Sequence, residues 1–325
     1  MIPVRIDVLA YPGCVGMEVF GLCDTLLLAN RVVASMSGAV APLFEVRVVS
    51  LAGGMVAAAG GLSIGSGSYS ASPAMLVIPG MDISDRDGCS RPHPQLAAEV
   101  AAIAAAHAAG TPVAALCVGA FLLGEAGLLD GRRATTSWMF SADLVRRFPL
   151  ARVDAAAMLI EDGLVTTTGA FSATFDLAMH LIGRHATPQQ ARAVARMALL
   201  NQRASQAAYI DTRMAARPSG AFSGKVQAWL RDHLAEPYVL ATLAEAFHVS
   251  GRTLLRKLKE ETGQSPLDYL QDERVNLAKR LLEEGELGLA QITGRVGYGD
   301  VATFSTLFKR LAGQSPAQYR RAFKG

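Results

Sequence analysis

Short apolar or alternating runs punctuate the first 170 residues, each bounded by Gly or Pro. Val4–Leu9, Phe44–Leu51, Ala74–Ile78, Val113–Leu116 and Leu164–Thr168 carry this pattern and predict strands. Between them, Gln95–Ala109, Ser141–Arg147 and Ala170–Ile182 read as helices. Such alternation predicts an α/β domain with a flavodoxin-like parallel sheet and helices on both faces. Beyond residue 184 no strand pattern recurs. Helical stretches broken at Gly263, Gly285 and Gly313 predict an all-α second domain. Arg213–Gly224, rich in Pro, Gly and Ser, reads as a linker.

The helical half contains a repeat. Gly263-Gln264-Ser265-Pro266-Leu267-Asp268-Tyr269 returns fifty residues later as Gly313-Gln314-Ser315-Pro316-Ala317-Gln318-Tyr319. Upstream, Leu254, Leu258 and Lys259 match Phe304, Phe308 and Lys309 in the same register. Ser250 and Asp300 also match, and both residue types cap helix N-termini well. Further upstream, Leu243, Phe247 and Val249 match Ile292, Val296 and Tyr298 with a one-residue offset. Each copy is a short helix, a tight turn and a capped second helix, so two helix-turn-helix motifs are predicted, at about 240–262 and 289–312.

Charge sharpens this picture. Residues 1–183 carry 10 arginines, no lysine and 15 carboxylates, a net −5. Residues 184–325 carry 21 Lys and Arg against 13 carboxylates, a net +8. An acidic module joined to a basic one points to a polyanionic partner for the second half. The 325 residues suit two domains, and 51% hydrophobic residues with 18% charged exclude global disorder. Met1–Pro12 lacks the pattern of a secretory signal. Val100–Gly124 has no Asp, Glu, Lys or Arg, but His107 and Gly110-Thr111-Pro112 divide it into shorter elements, so no membrane partner is expected. Cys14, Cys23, Cys89 and Cys117 show no CxxC spacing, which suits a reduced, cytoplasmic setting.

Residues 225–325 resemble the AraC/XylS-type DNA-binding domain. The resemblance rests on Val296-Gly297-Tyr298-Gly299-Asp300, Phe304, Phe308-Lys309-Arg310 and Gly313-Gln314-Ser315-Pro316 through Tyr319-Arg320. It implies double-stranded DNA as partner, read by the second helix of each motif. Arg252, Leu255 and Arg256 in the first copy and Val301, Ala302 and Thr306 in the second are implicated at bases, with Lys259 and Lys309 suited to phosphates.

In the first half, Pro112–Ala120 reads as strand, sharp turn and helix, with Cys117 at the elbow. A helix N-terminus there is expected to lower the thiol pKa. A small buried cysteine ending a strand is the plainer reading of those residues alone. Residues 1–185 resemble the PfpI-like branch of the class I glutamine-amidotransferase-like superfamily. The matching pieces are Tyr11-Pro12-Gly13 with Glu18, Ile78-Pro79-Gly80, Ala115–Ala120 and Gly127–Thr136. The resemblance makes Cys117 the nucleophile or redox position, sets Glu18 against its sulfur, and forms an anion hole from the Gly80 and Val118 amides. Members place a histidine directly after the Thr-Thr pair, whereas this chain has Ser137. Serine cannot act as the base that acyl transfer needs near neutral pH.

The two resemblances in this order match regulators that fuse an amidotransferase-like sensor to an AraC-type reader, with residues 186–224 as connecting helix and linker. The expected function is a sequence-specific transcriptional regulator sensing a small, nitrogenous metabolite without catalysis. Glu18, Gly80, Cys117, Val118, Ser137 and Trp138 are the expected ligand-binding residues, and neither metal nor cofactor is called for. A homodimer is expected, with RNA polymerase as a further partner. The alternatives are a cysteine-dependent hydrolase or hydratase, or a Cys117 redox sensor, fused to the reader.

Overall fold

The computed structural model describes residues 2–70, 73–83, 89, 91, 93–201, 203–211, 214 and 222–324. The chain divides into two compact units, Met1–Gln206 and Ala207–Gly325.

The first unit is built on an eight-stranded sheet ordered β3-β4-β2-β1-β5-β6-β10-β9. Its strands are β1 (Val4–Leu9), β2 (Phe44–Ser50), β3 (Gly54–Ala57), β4 (Ser63–Ser68), β5 (Met75–Ile78), β6 (Val113–Ala115), β9 (Leu159–Asp162) and β10 (Val165–Thr168). A separate parallel pair joins β7 (Arg133–Ala134) to β8 (Arg152–Val153). Pairing in the large sheet is parallel throughout except at the edge strands β3 and β9. Every strand predicted from the apolar runs is present, and β5, β6 and β10 adjoin, with side chains covered on both faces. The Gly-rich β3–β4 hairpin and the short β7, β8 and β9 carried too weak an alternation to be read.

Among the described residues, six α-helices complete the unit: α1 (Gly16–Ser37), α2 (Ala97–Ala108), α3 (Ala120–Glu125), α4 (Ser141–Arg147), α5 (Ala173–His185) and α6 (Pro188–Met197). By length and composition α1 could cross a bilayer, but Leu22, Leu26 and Ala29 are fully buried in the sheet's core. The uncharged stretch 100–124 divides as expected, among α2, β6 and α3.

The domain boundary differs from the sequence reading. Helix α6 packs on α1 and α5, and its Val194 is fully buried, so the first unit continues past residue 185 to Gln206. Arg184, Arg192, Arg196 and Arg203 therefore belong to it, and the helical unit from Ala207 holds 17 Lys and Arg against 13 carboxylates, a net +4. Most of the predicted linker, 213–224, lies outside the described residues, although its last three already belong to α7.

The second unit contains α7 (Phe222–Asp232), α8 (Leu240–Ala246), α9 (Gly251–Thr262), α10 (Pro266–Glu284), α11 (Leu289–Arg295), α12 (Val301–Ala312) and α13 (Pro316–Phe323). The repeat is helix punctuation written twice. Gly263 and Gly313 end α9 and α12 in the left-handed region, at φ 74° and 73°, where a side chain would be strained. Ser265 and Ser315 then accept from the backbone N–H groups of Asp268 and Gln318, whose side chains close capping boxes behind Pro266 and Pro316. The helix α10 serves two cores. Tyr269 and Leu270 join Leu230, Leu243, Leu254 and Leu258, while Val275, Ala278 and Leu282 join Ile292, Phe304 and Phe308. The one-residue offset of the repeat falls in the motif turns, which are Val249-Ser250 in the first copy and Tyr298-Gly299-Asp300 in the second.

Ser265→Ala and Ser315→Ala should each lower the stability of the helical unit by about 1 kcal/mol, and the losses should add, as read from urea midpoints of its transition.

Candidate functional site

Three consecutive strand ends frame the Cys117 elbow. Val113–Ala115 are fully buried between β5 and β10, and Leu116 N–H still donates to Ile78 O, at 2.9 Å. The chain then turns sharply, with Cys117 at φ 50°, a region that non-Gly residues rarely occupy. At Gly119 the turn passes so close to β5 that a Cβ would lie 2.6 Å from Pro79 O and 2.7 Å from Ile78 O. Only glycine fits there. Thr136 Oγ1 donates to Cys117 O at 2.8 Å and Cys117 N–H donates to Thr168 Oγ1 at 3.4 Å, so two flanking segments hold the elbow.

Glu18 comes from the first turn of α1 and is fully buried. Its Oε2 accepts from Gly80 N–H at 2.5 Å, while Oε1 makes no hydrogen bond of good geometry among the described residues. The Cys117 thiol lies beside this carboxyl. Burial pushes Glu18 up to about 7, against the Gly80 and Cys117 contacts. Burial likewise pushes Cys117 up to about 12, reinforced by Glu18 and opposed by the N–H groups of Phe171 and Val118. The expected lowering of the thiol pKa is therefore corrected. Two backbone donors are too little to offset desolvation beside a carboxyl.

The anion hole is corrected in the same way. The Gly80 amide is engaged by Glu18, and the N–H groups facing the sulfur are those of Val118 and Phe171. Phe171 is itself left-handed, at φ 27°, and its side chain is exposed. Of the six expected ligand residues, Glu18, Gly80, Val118 and Ser137 are buried, and only Cys117 and Trp138 present surface. None of the largest influences on the Cys117 thiol comes from a histidine, and the position after the Thr-Thr pair is Ser137. His93 is held by Glu125, at 2.6 Å, which also pairs with Arg147.

Sequence reasoning missed Gln206. Its side chain is buried, with Nε2 donating to Thr136 O (2.8 Å), Ala157 O (3.2 Å) and Thr135 Oγ1 (3.4 Å). Its Oε1 accepts from Trp138 N–H at 3.3 Å and Ala170 N–H at 3.2 Å. One amide thus ties together the two segments, 135–138 and 169–171, that enclose Cys117. It sits in a polar stretch without periodicity, so nothing in the sequence marks it.

The helical unit presents its own site. Arg252, Leu255, Arg256 and Lys259 follow helical spacing on α9, opposite the buried Leu254 and Leu258, and all four are exposed. On α12, Val301, Ala302, Thr306 and Lys309 are exposed while Phe304, Leu307 and Phe308 are buried. Both helices are N-capped, Ser250 Oγ accepting from Thr253 N–H at 3.2 Å and Asp300 Oδ2 from Thr303 N–H at 2.6 Å. Arg256 pairs with Glu260 through one nitrogen, Nη1 lying 2.9 Å from each carboxylate oxygen, and Lys259 Nζ donates to Gly263 O at 2.6 Å. Among the described residues Arg252 has no partner.

Residues 32–183 match the model of the DJ-1/PfpI family, and residues 243–322 match that of a helix-turn-helix domain. The chain is 28% identical over 287 residues to the HTH-type transcriptional regulator GlxA of Rhizobium meliloti (strain 1021), covering 86% of each protein. Over 97 residues it is 41% identical to the HTH-type transcriptional activator RhaS of Enterobacter sp. (strain 638), covering 30% of this chain and 35% of that protein. A THiJ/PfpI family protein from Pseudomonas syringae shares the fold, with a TM-score of 0.50 at 20% identity over 62% of this chain and 77% of that one. The chain is a helix-turn-helix transcriptional regulator, with an AraC-type DNA-binding domain preceded by a domain similar to the DJ-1/PfpI family.

Proposed function

We propose that a small nitrogenous metabolite binds beside Cys117 and, without being turned over, changes how α9 and α12 bind DNA. The observation that carries this reading is the thiol itself. It is pushed up to about 12, beside a carboxyl pushed up to about 7, and Ser137 stands where a histidine base would follow the Thr-Thr pair. A nucleophile needs thiolate and a base, and a peroxide sensor needs thiolate, so both alternatives lose support. Trp138 and Phe171 support a cationic ligand, since they adjoin the two backbone N–H groups that meet at Gln206 Oε1 and an aromatic face attracts an ammonium. A cytoplasmic homodimer that engages RNA polymerase completes the proposal.

The test incubates the full chain with a pool of nitrogenous metabolites and measures by mass spectrometry what is retained and what disappears. One compound retained stoichiometrically and recovered unchanged is expected, whereas consumption over many turnovers would overturn the reading.

Iodoacetamide labelling of Cys117, followed on its own peptide, should reach no plateau up to pH 10, because a raised pKa keeps the thiol protonated throughout. On DNA, Arg256→Ala should weaken binding by about 1–3 kcal/mol and relax one base position. Glu260→Gln should strengthen binding in low salt, because it frees Arg256 and removes a carboxylate from the basic face. Titrations at two salt concentrations check both.

A further inference from the structure

A cavity of about 610 Å³ lies in the first unit between α5 and α6, with Leu199, Leu200, Arg203 and Ala204 on its wall. That is within the range of small-molecule sites, roughly 300–1,000 Å³. Its walls include Met158, Phe175, Met179, Ala195, Leu199 and Leu200. Methionines and a phenylalanine make a surface that adapts to an apolar guest. One wall is unusual. Leu199, left-handed at φ 53°, closes the C-terminus of α6, with Leu200 N–H donating to Ala195 O at 2.9 Å, and this leaves its bulky apolar side chain 88% exposed on the cavity wall.

The charges lining the cavity select the head group. Asp176 is neutralised by Arg203, which also donates to Ser172 Oγ and O at 2.8 Å each. His180 is held by Glu161, at 3.1 Å, as is Arg184 at 2.7 Å. Arg192 remains, exposed on α6, with no partner among the described residues. We propose that this cavity binds a small amphipathic anion, an apolar chain or ring bearing a carboxylate, with the apolar body against Met179 and Leu199 and the head at Arg192. The site shares no lining residue with the Cys117 elbow.

Decanoate below its micellar concentration is the probe, titrated against the full chain by calorimetry. Saturable one-to-one binding is expected, with decanol and decyltrimethylammonium binding at least about fivefold more weakly. Arg192→Gln should weaken decanoate by a similar factor. Gly183→Phe should abolish binding by filling the cavity from its open side, and no atom lies within 4 Å of a Cβ at that position, so the fold should tolerate it. Cys117→Ser should leave the affinity unchanged, which separates this site from the metabolite site proposed above. Absence of saturable binding, or wild-type affinity in both Arg192→Gln and Gly183→Phe, would sink the assignment.

Discussion

The backbone of residues 117–119 approaches the carbonyls of Ile78 and Pro79 so closely that no side chain fits at Gly119, and much of the first unit is arranged around that approach. It requires β5 and β6 to end level with each other, as their parallel register does by pairing Ile78 with Ala115. It forces the sharp turn that leaves Cys117 in the left-handed region. It also brings Gly80 against Glu18, whose carboxyl then occupies the space beneath the thiol. Desolvation follows from this packing, and desolvation governs the chemistry. A cysteine and a glutamate buried together favour their neutral forms, whatever a helix N-terminus contributes.

The helical unit depends on a different constraint, the economy of helix ends. The twelve-residue helices α9 and α12 have orphan N–H and C=O groups at both termini, and each end is answered by a specific residue type. Because those answers are local, the repeated segment at 263–269 and 313–319 could be read as structure before any fold was known. The offset upstream of it was legible as well, and it corresponds to one additional residue in the second motif's turn. Sharing α10 between the two small cores then couples motifs that neither propensity nor capping would connect.

What was not legible has a common character. The strands of the sheet centre, the elbow cysteine and Glu18 follow from local pattern or from resemblance, and the structure places them as a group. Helix α1 was missed because its apolar residues are spread around much of its circumference, which erases the helical period. The thiol's pKa went the wrong way because burial is a property of the assembled core, absent from the turn alone. Gln206 and the 199–204 wall are long-range features, whose partners lie far away in sequence. Arg203 and Gln206 moved the boundary by tying a polar stretch to a domain that its composition does not suggest.

The position of Gln206 has a consequence for how such chains can be assembled from parts. Recombination that exchanges one DNA-binding module for another must join after this residue, because an exchange at about residue 185 discards the amide that satisfies Thr136 O, Ala157 O and two backbone N–H groups. The Trp138 and Ala170 N–H groups would lose their acceptor at a cost of about 1–3 kcal/mol each, and Thr136 O and Ala157 O would keep only the Thr135 hydroxyl. The inherited unit is therefore the α/β domain with its trailing strap, and fusions that keep both are the ones that would survive selection.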